Sequence, residues 1–389
     1  MILLGWVSLF ADLCYEGMRS AIGPYLALLG ASGTAVGIVS GTGEALGYAL
    51  RYWSGALADR THRYWAITIA GYSTNLVAVP LLALAGGWPA VAALVALERM
   101  GKGFRSPAKS TLTSFAASDL GAGRAFAINE AMDQAGALMG PLAVAGVLAW
   151  RGETLSGFAW AFVLLAVPAA ISVAVLLRAR RLYPDPRSLE AEGAGGAAKL
   201  GPNYAWYLVG VALIAIGLAD WPLIAYHLEK ADVLDAKWLP IAYSAAMGFD
   251  GVVSLVAGLA FDRNRKRGGT GASVLAGFTI AGAAYAVLAF TSDAHQRLFA
   301  IAGIALWSVV HAATNSIGKA MIAAIVPRGQ RGRAYGLYYL VFGLAWWLGS
   351  IALGALYDRD HLACGLLASG AVVAGAAVVM WSGKGVKSA

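Results

Sequence analysis

Twelve ionisable side chains, six acids and six bases, fall inside stretches of the N-terminal half that are otherwise apolar. Asp12, Glu16 and Arg19 share one stretch, Glu44 and Arg51 a second. Glu98, Arg99, Lys102, Arg105 and Lys109 lie in a third, and Glu130 and Asp133 in a fourth. Positions 12, 16 and 19 are i, i+4 and i+7, so on a helix they share one face. Positions 98, 102, 105 and 109 make a similar stripe, with Arg99 beside it. Balanced opposite charges in apolar surroundings predict internal pairing, because an uncompensated charge there is costly. A carboxyl in such a place is pulled two ways: loss of water favours its protonated form, a neighbouring base its ionised form. If its distance to that base changes, it can take up a proton in one state and release it in another.

Composition says what those stretches are. Hydrophobic residues make up 59% of the 389, charged residues 13%, and mean hydropathy is +0.66. Soluble domains carry about 25% charged residues, so the chain is an integral membrane protein. A bilayer-crossing helix takes about 20 apolar residues. Twelve fit, at roughly 2–29, 34–58, 64–86, 88–109, 124–150, 156–178, 204–228, 236–261, 270–292, 297–326, 333–357 and 361–382. The expectation is an all-α protein with a six-helix half over residues 1–180, a cytoplasmic linker over 181–203 and a second half over 204–389. Arg180, Arg181, Pro184 and Pro186 mark the linker. Net charge is +8, and Lys and Arg concentrate in the connections on one side, which places both termini in the cytoplasm. This accounts for the charge without nucleic acid. Cys14 and Cys364 both fall within spans, leaving no disulfide or Cys metal site. Met1 leads straight into the first span, so no cleavable signal is expected.

Arg51, Glu98, Arg105 and Lys109 suit clamps between helices. Asp12, Glu16, Arg99 and Lys102 suit function, the default for ionisable groups within a membrane. Arg19, Glu44, Glu130 and Asp133 complete the coupling candidates. The C-terminal half is sparser. Asp220, Asp250 and His311 are its candidates for lining a substrate cavity, with His311 open between a packed and a titrating histidine. Trp221, Tyr226, Trp307, Trp346 and Trp347 read as core or interface anchors.

The nine residues from Gly55 to Arg63, at the junction of the second and third spans, read as a tight turn at the membrane surface. Gly55-Ala-Leu-Ala-Asp59-Arg60-Thr-His62-Arg63 closes the second span and has an echo at Gly258-Leu-Ala-Phe-Asp262-Arg263. The pair resembles the repeated loop signature of the major facilitator superfamily. His62 stands where the signature has its second Gly. The halves repeat further, Gly123-Arg124-Ala125-Phe126 matching Gly332-Arg333-Ala334-Tyr335, with Gly140 and Gly349 at the same offset. Arg99-Met-Gly-Lys102-Gly103 resembles the Arg-x-x-Gln-Gly signature of proton-coupled members, with Lys102 in place of Gln. Gly136, Gly140 and Pro141 resemble the front of the antiporter signature.

The resemblance implies twelve helices in two parallel halves, with the substrate near the midplane. It implies a gating role for Gly55, Asp59, Arg60, Arg63, Asp262 and Arg263, Asp59 latching onto the start of the eleventh span near Arg333. Within that fold, Glu16 and Arg99 should stand level at mid-bilayer, and Asp12 level with Lys102. Glu16 is then the expected proton carrier with Arg99 as modulating partner, Asp12 second and Asp133 in reserve. The expected function is proton-driven export of a small solute by a monomer in the cytoplasmic membrane of a bacterium or archaeon. Protons and lipid are the other partners, with no cofactor or metal. Proton symport of an organic anion and divalent-metal transport are the alternatives, a non-transporting sensor or intramembrane enzyme the least favoured. No His-Glu-x-x-His, phosphate loop or nucleophile elbow occurs.

Overall fold

The computed structural model describes residues 2–116, 122–184, 201–326 and 331–383, without the side chains of 52, 59, 114–116, 122–131, 323–324 and 331–333. All regular structure among them is helical. In chain order the helices are α1 (Ile2–Leu28), α2 (Gly33–Thr61), α3 (Tyr64–Leu81), α4 (Trp88–Ala116), α5 (Ala122–Arg151), α6 (Leu155–Leu164) and α7 (Ala166–Leu182). There follow α8 (Pro202–Gly217), α9 (Trp221–Lys230), α10 (Leu239–Lys266), α11 (Ala272–Gly282), α12 (Tyr285–Phe290), α13 (Arg297–Ile325), α14 (Arg331–Tyr357) and α15 (His361–Gly383). Most of the expected linker lies outside the described residues.

Among the described residues, nine helical segments are long and apolar enough to cross a membrane. Three long helices, α1, α2 and α4, fall outside that set. Length is not what they lack: at 27 or 29 residues each they reach about 40 Å, more than the hydrocarbon thickness. Charge lowers the hydropathy of α1 and α4, and Gly37, Gly41, Gly43 and Gly47 dilute that of α2. The exceptional helices carry Asp12, Glu16, Glu44, Arg99 and Lys102 among the candidate residues.

The described residues divide into two compact units. One takes those within Met1–Ala31, Thr42–Glu192 and Asp235–Ala245, the other those within Ser32–Gly41, Gly193–Leu234 and Ala246–Ala389. In the first, α1 packs on α5 and α7, and α3 on α4 and α7. In the second, α8 packs on α14 and α15, and α11 on α13 and α15. The pairing order is the same. Gly140 and Gly349 do the same work in it: a Cβ at Gly140 would overlap the Leu13 carbonyl of α1, one at Gly349 the Ile216 carbonyl of α8. Gly136 likewise faces the Leu9 carbonyl. The antiporter-like glycines thus have a packing role, which lipid-embedded helices need for close approach.

Between α8 and α9 the helix is interrupted, where the sequence predicted one continuous span. Several of the freed backbone groups are engaged. Tyr285 donates to the Gly217 carbonyl (2.5 Å) and accepts from the Ala219 amide (2.6 Å), and Trp307 Nε1 donates to the Ala219 carbonyl (2.9 Å). Asp220 caps α9 by accepting from the Trp221 amide at 2.9 Å. A break inside a membrane segment is tolerated only with such partners.

The expected nine-residue turn at Gly55–Arg63 is a correction. The chain is helical through Thr61, and only His62 and Arg63 turn. The Thr61 hydroxyl and the His62 amide donate back to the Leu57 and Ala58 carbonyls, each at 2.7 Å, so the helix closes its own end. His62 takes φ +54°, a left-handed conformation that glycine adopts freely. Gly55 packs beside Pro107, and Arg60 and Arg63 are exposed. The echo lies wholly within α10, with Asp262 and Arg263 exposed. The side chains of Asp59 and Arg333, and hence the latch expected between them, lie outside the described residues.

The opposite end of α2 has a different anchor. Asp358, just after α14, accepts from the Gly33 amide (2.7 Å), the Thr34 amide (2.8 Å) and the Thr34 hydroxyl (2.6 Å). Partial burial pushes the Asp358 carboxyl up, but these hydrogen bonds outweigh it and hold it below the usual carboxylate range. A depressed folded value means that the contact stabilises above about pH 3.9 and is lost as pH falls through the lowered value. Asp358→Ala should therefore destabilise by about 0.3–1 kcal/mol at pH 7. The gap from wild type in thermal unfolding should narrow below about pH 3.9. An equal gap at all pH values would refute the assignment.

Candidate functional site

The charged residues of the first unit converge from α1, α2, α4 and α5, with neutral polar partners from α3 and the first turns of α10. Glycine makes the approach of α2 to α4 possible. A Cβ on Gly43 would stand 3.0 Å from Arg99 Cγ, and one on Gly47 3.1 Å from the Arg99 carbonyl oxygen. Arg99 is thereby pressed towards α2. Its Nε lies 3.2 Å from Glu44 Oε1 and 3.4 Å from Glu98 Oε2. Arg19 also reaches Glu44, at 3.8 Å. Glu98, 1% exposed, accepts from Asn75 Nδ2 at 2.6 Å. The result is a buried cluster of two acids and two arginines with a neutral amide at its edge.

A second cluster lies beside it. Lys102 Nζ is 3.7 Å from Glu16 Oε1 and 3.8 Å from the centre of the Tyr15 ring. Glu16 Oε2 accepts from the Tyr243 hydroxyl of α10 at 2.6 Å. Tyr15 in turn donates to Asp12 Oδ1. Lys109 pairs with Asp133 at 3.8 Å. Arg105 stacks 3.9 Å over Tyr72. The side chain of Glu130 lies outside the described residues.

The expected partnership of Glu16 with Arg99 is therefore corrected to Glu16 with Lys102. Arg99, hemmed in by Gly43 and Gly47, is committed to Glu44 and Glu98. The flexible four-carbon stem of Lys102 brings its ammonium 3.7 Å from Glu16 Oε1. Asp12 accepts from Tyr15. Three participants were missed. Tyr15 had a readable signal, since it shares the α1 face of Asp12, and so did Asn75, an amide in an apolar span. Tyr243 had none, being one aromatic residue among many in a membrane helix.

In the second unit His311 Nδ1 lies 2.8 Å from Asp250 Oδ2. Trp307 stacks on the His311 ring with centroids 5.0 Å apart. Asp220 caps α9.

A sequence profile described as Major Facilitator Superfamily matches residues 5–309 and 221–386. The chain belongs to the major facilitator superfamily. One relative carries the same family description, and the solved structures share the fold. Uncharacterised proteins of Mycobacterium tuberculosis and Mycobacterium bovis are 40% identical over 361 residues, covering 91% of this chain and 85% of theirs. An uncharacterised transporter of Methanocaldococcus jannaschii, described as of the superfamily type, is 24% identical, covering 91% and 87%. Among solved structures, a mutant of the nucleoside transporter NupG superposes with TM-score 0.77 at 14% identity, covering 98% of this chain and 99% of that one. A peptide transporter with bound sulfate gives TM-score 0.79 at 16% identity, covering 99% and 95%. At such identities these two likenesses speak for the fold alone. As a superfamily member the chain is a membrane transporter and not an enzyme. Its ion-paired α1, α2 and α4 place the charges where an apolar span would have none.

Proposed function

We propose that this chain is a proton-coupled secondary transporter that exports a small solute by alternating access, with Glu16 as the principal proton carrier and Asp12 as the second. The supporting observation is the setting of Glu16, gripped by Lys102 of α4 on one oxygen and by Tyr243 of α10 on the other. Protonating that carboxyl cancels its attraction to Lys102. A movement that draws Lys102 away favours the protonated form in return. The two events are linked in both directions, as coupling requires. Glu44 and Glu98 are less suited, since Arg99 joins both. A divalent-metal cargo has less support, because no group of three His, Cys, Asp or Glu among the described residues could hold a metal ion.

On this reading the protein sits in the cytoplasmic membrane of a bacterium or archaeon, with the Gly55–Arg63 end of α2 facing the cytoplasm. A cysteine at Arg63 should then react only with reagent supplied from the cytoplasmic side. The deciding experiment uses proteoliposomes with an imposed pH gradient, screened over amphipathic cations, organic anions and neutral solutes. Export by antiport predicts proton movement opposite to solute, each dependent on the gradient of the other. Solute movement with no proton movement would overturn the reading.

A further inference from the structure

The pair His311 and Asp250 extends to a third side chain, and hydrogen-bond accounting fixes where its proton sits. Asn315 Nδ2 lies 3.1 Å from His311 Nε2 and 3.2 Å from the His311 carbonyl oxygen. A backbone carbonyl only accepts, so the Asn315 atom beside it is the NH2 group. That same group then donates to Nε2, which must present a lone pair. The single ring proton is left on Nδ1, donated to Asp250 at 2.8 Å. His311 is neutral in this arrangement, and Nε2 is an open proton position.

The surroundings hold the ring in place, with Asp250 as a charged partner. Trp307, stacked on the ring, is itself tied through Nε1 to the Ala219 carbonyl at 2.9 Å. The break before α9 brings Asp220, which caps the Trp221 amide. From α12 comes Tyr285, engaged with Gly217 and Ala219. From α8 comes Tyr207, which donates to the Gly318 carbonyl. From α14 comes Tyr338, which donates to the Thr314 carbonyl at 3.5 Å. Residues 272–282 of α11 contain no titratable side chain, and on α13 itself Lys319 is eight residues on.

We propose that Asp250, His311 and Asn315 form a second proton-binding site of this transporter, filled at His311 Nε2 and read out by Asn315. A proton from water forms the Nε2–H bond and gives an imidazolium facing the Asp250 carboxylate. An NH2 group cannot donate to Nε2–H. The Asn315 amide must therefore turn to present Oδ1, giving up its bond to the His311 carbonyl. Proton binding on α10 and α13 becomes a side-chain reorientation on α13. The use of the site in transport rests on the proton-coupled reading, whereas the proton position itself does not.

The test is imidazole 15N NMR of the full-length protein, labelled at its five histidines and held in lipid nanodiscs, with His311→Gln to assign the signal. At the alkaline end of the titration, His311 should carry its proton on Nδ1 with Nε2 bare. Acidification should protonate Nε2. Asn315→Asp, which sets a second carboxylate against Nε2, should move that transition up by about one pH unit or more. A proton on Nε2 at the alkaline end would overturn the proposal. So would a ring that stays neutral down to about pH 5 in both wild type and Asn315→Asp. In proteoliposomes His311→Gln should lower the number of protons moved per solute, and an unchanged ratio would remove the site from coupling. Wild-type protein that moves solute without protons would sink the proton-coupled reading and leave the NMR outcome standing.

Discussion

Glu16→Gln is expected to abolish solute movement driven by a pH gradient while leaving solute exchange between the two sides measurable. Glutamine keeps the size of the side chain and can still accept from the Tyr243 hydroxyl, which lies 2.6 Å from Glu16 Oε2. What it removes is the negative charge 3.7 Å from Lys102 Nζ, and with it the choice between two protonation states. Leaving a buried base without its acid costs about 3–5 kcal/mol in the usual case, so loss of folding must be separated from loss of coupling. The Tyr15 ring, 3.8 Å beneath the ammonium, cushions part of that cost. Glu16→Gln/Lys102→Gln removes both charges and should recover wild-type thermal stability without recovering gradient-driven transport. Asp12→Asn should give a weaker loss. If Glu16→Gln and Asp12→Asn both retain full gradient-driven transport, the proton is carried elsewhere.

The fold was legible because lipid allows few solutions. Long apolar segments, short polar turns and a repeated signature leave little besides a helical membrane protein in two matching halves. The participation of Asp12, Glu16, Arg99 and Lys102 was legible for the same reason, since charge inside a membrane needs a partner. The identity of each partner was not. Helical periodicity fixes which side chains share a face, but not how one helix is rotated and shifted against its neighbour. Gly43 and Gly47, which turn Arg99 towards α2, look in sequence like general packing glycines. The end of α2 was misjudged because charge at Asp59 and Arg60 suggested a loop, whereas a charged final turn at the membrane surface is good helix. Asp358 shows the same limit from the other side. Its role as a cap depends on a contact with Gly33 across 325 positions of sequence, and no local pattern announces it.

Arg99→Leu should be the most destabilising single change in the first unit, and its size decides whether the Arg99 cluster is a clamp or a moving part. Arg99 is 6% exposed and bridges Glu44 at 3.2 Å and Glu98 at 3.4 Å. Removing it leaves Arg19, at 3.8 Å, as the base paired with Glu44, and leaves Glu98 with the neutral amide of Asn75. An uncompensated buried carboxylate costs about 3–5 kcal/mol. Arg99→Lys should lose part of that, because a compact ammonium reproduces the charge but not the guanidinium fork. If the cluster is a clamp, Arg99→Leu/Glu98→Gln should regain most of the lost stability, since Glu44 keeps Arg19 as its partner and the amide at position 98 fills its place without an unpaired charge. Transport by that double variant is then the informative measurement. Near-normal gradient-driven rates would assign Arg99 and Glu98 to holding α2 and α4 together. A stable variant with no coupling would give them a share in moving the proton. Thermal unfolding of Arg99→Leu indistinguishable from wild type would contradict the buried ion cluster altogether.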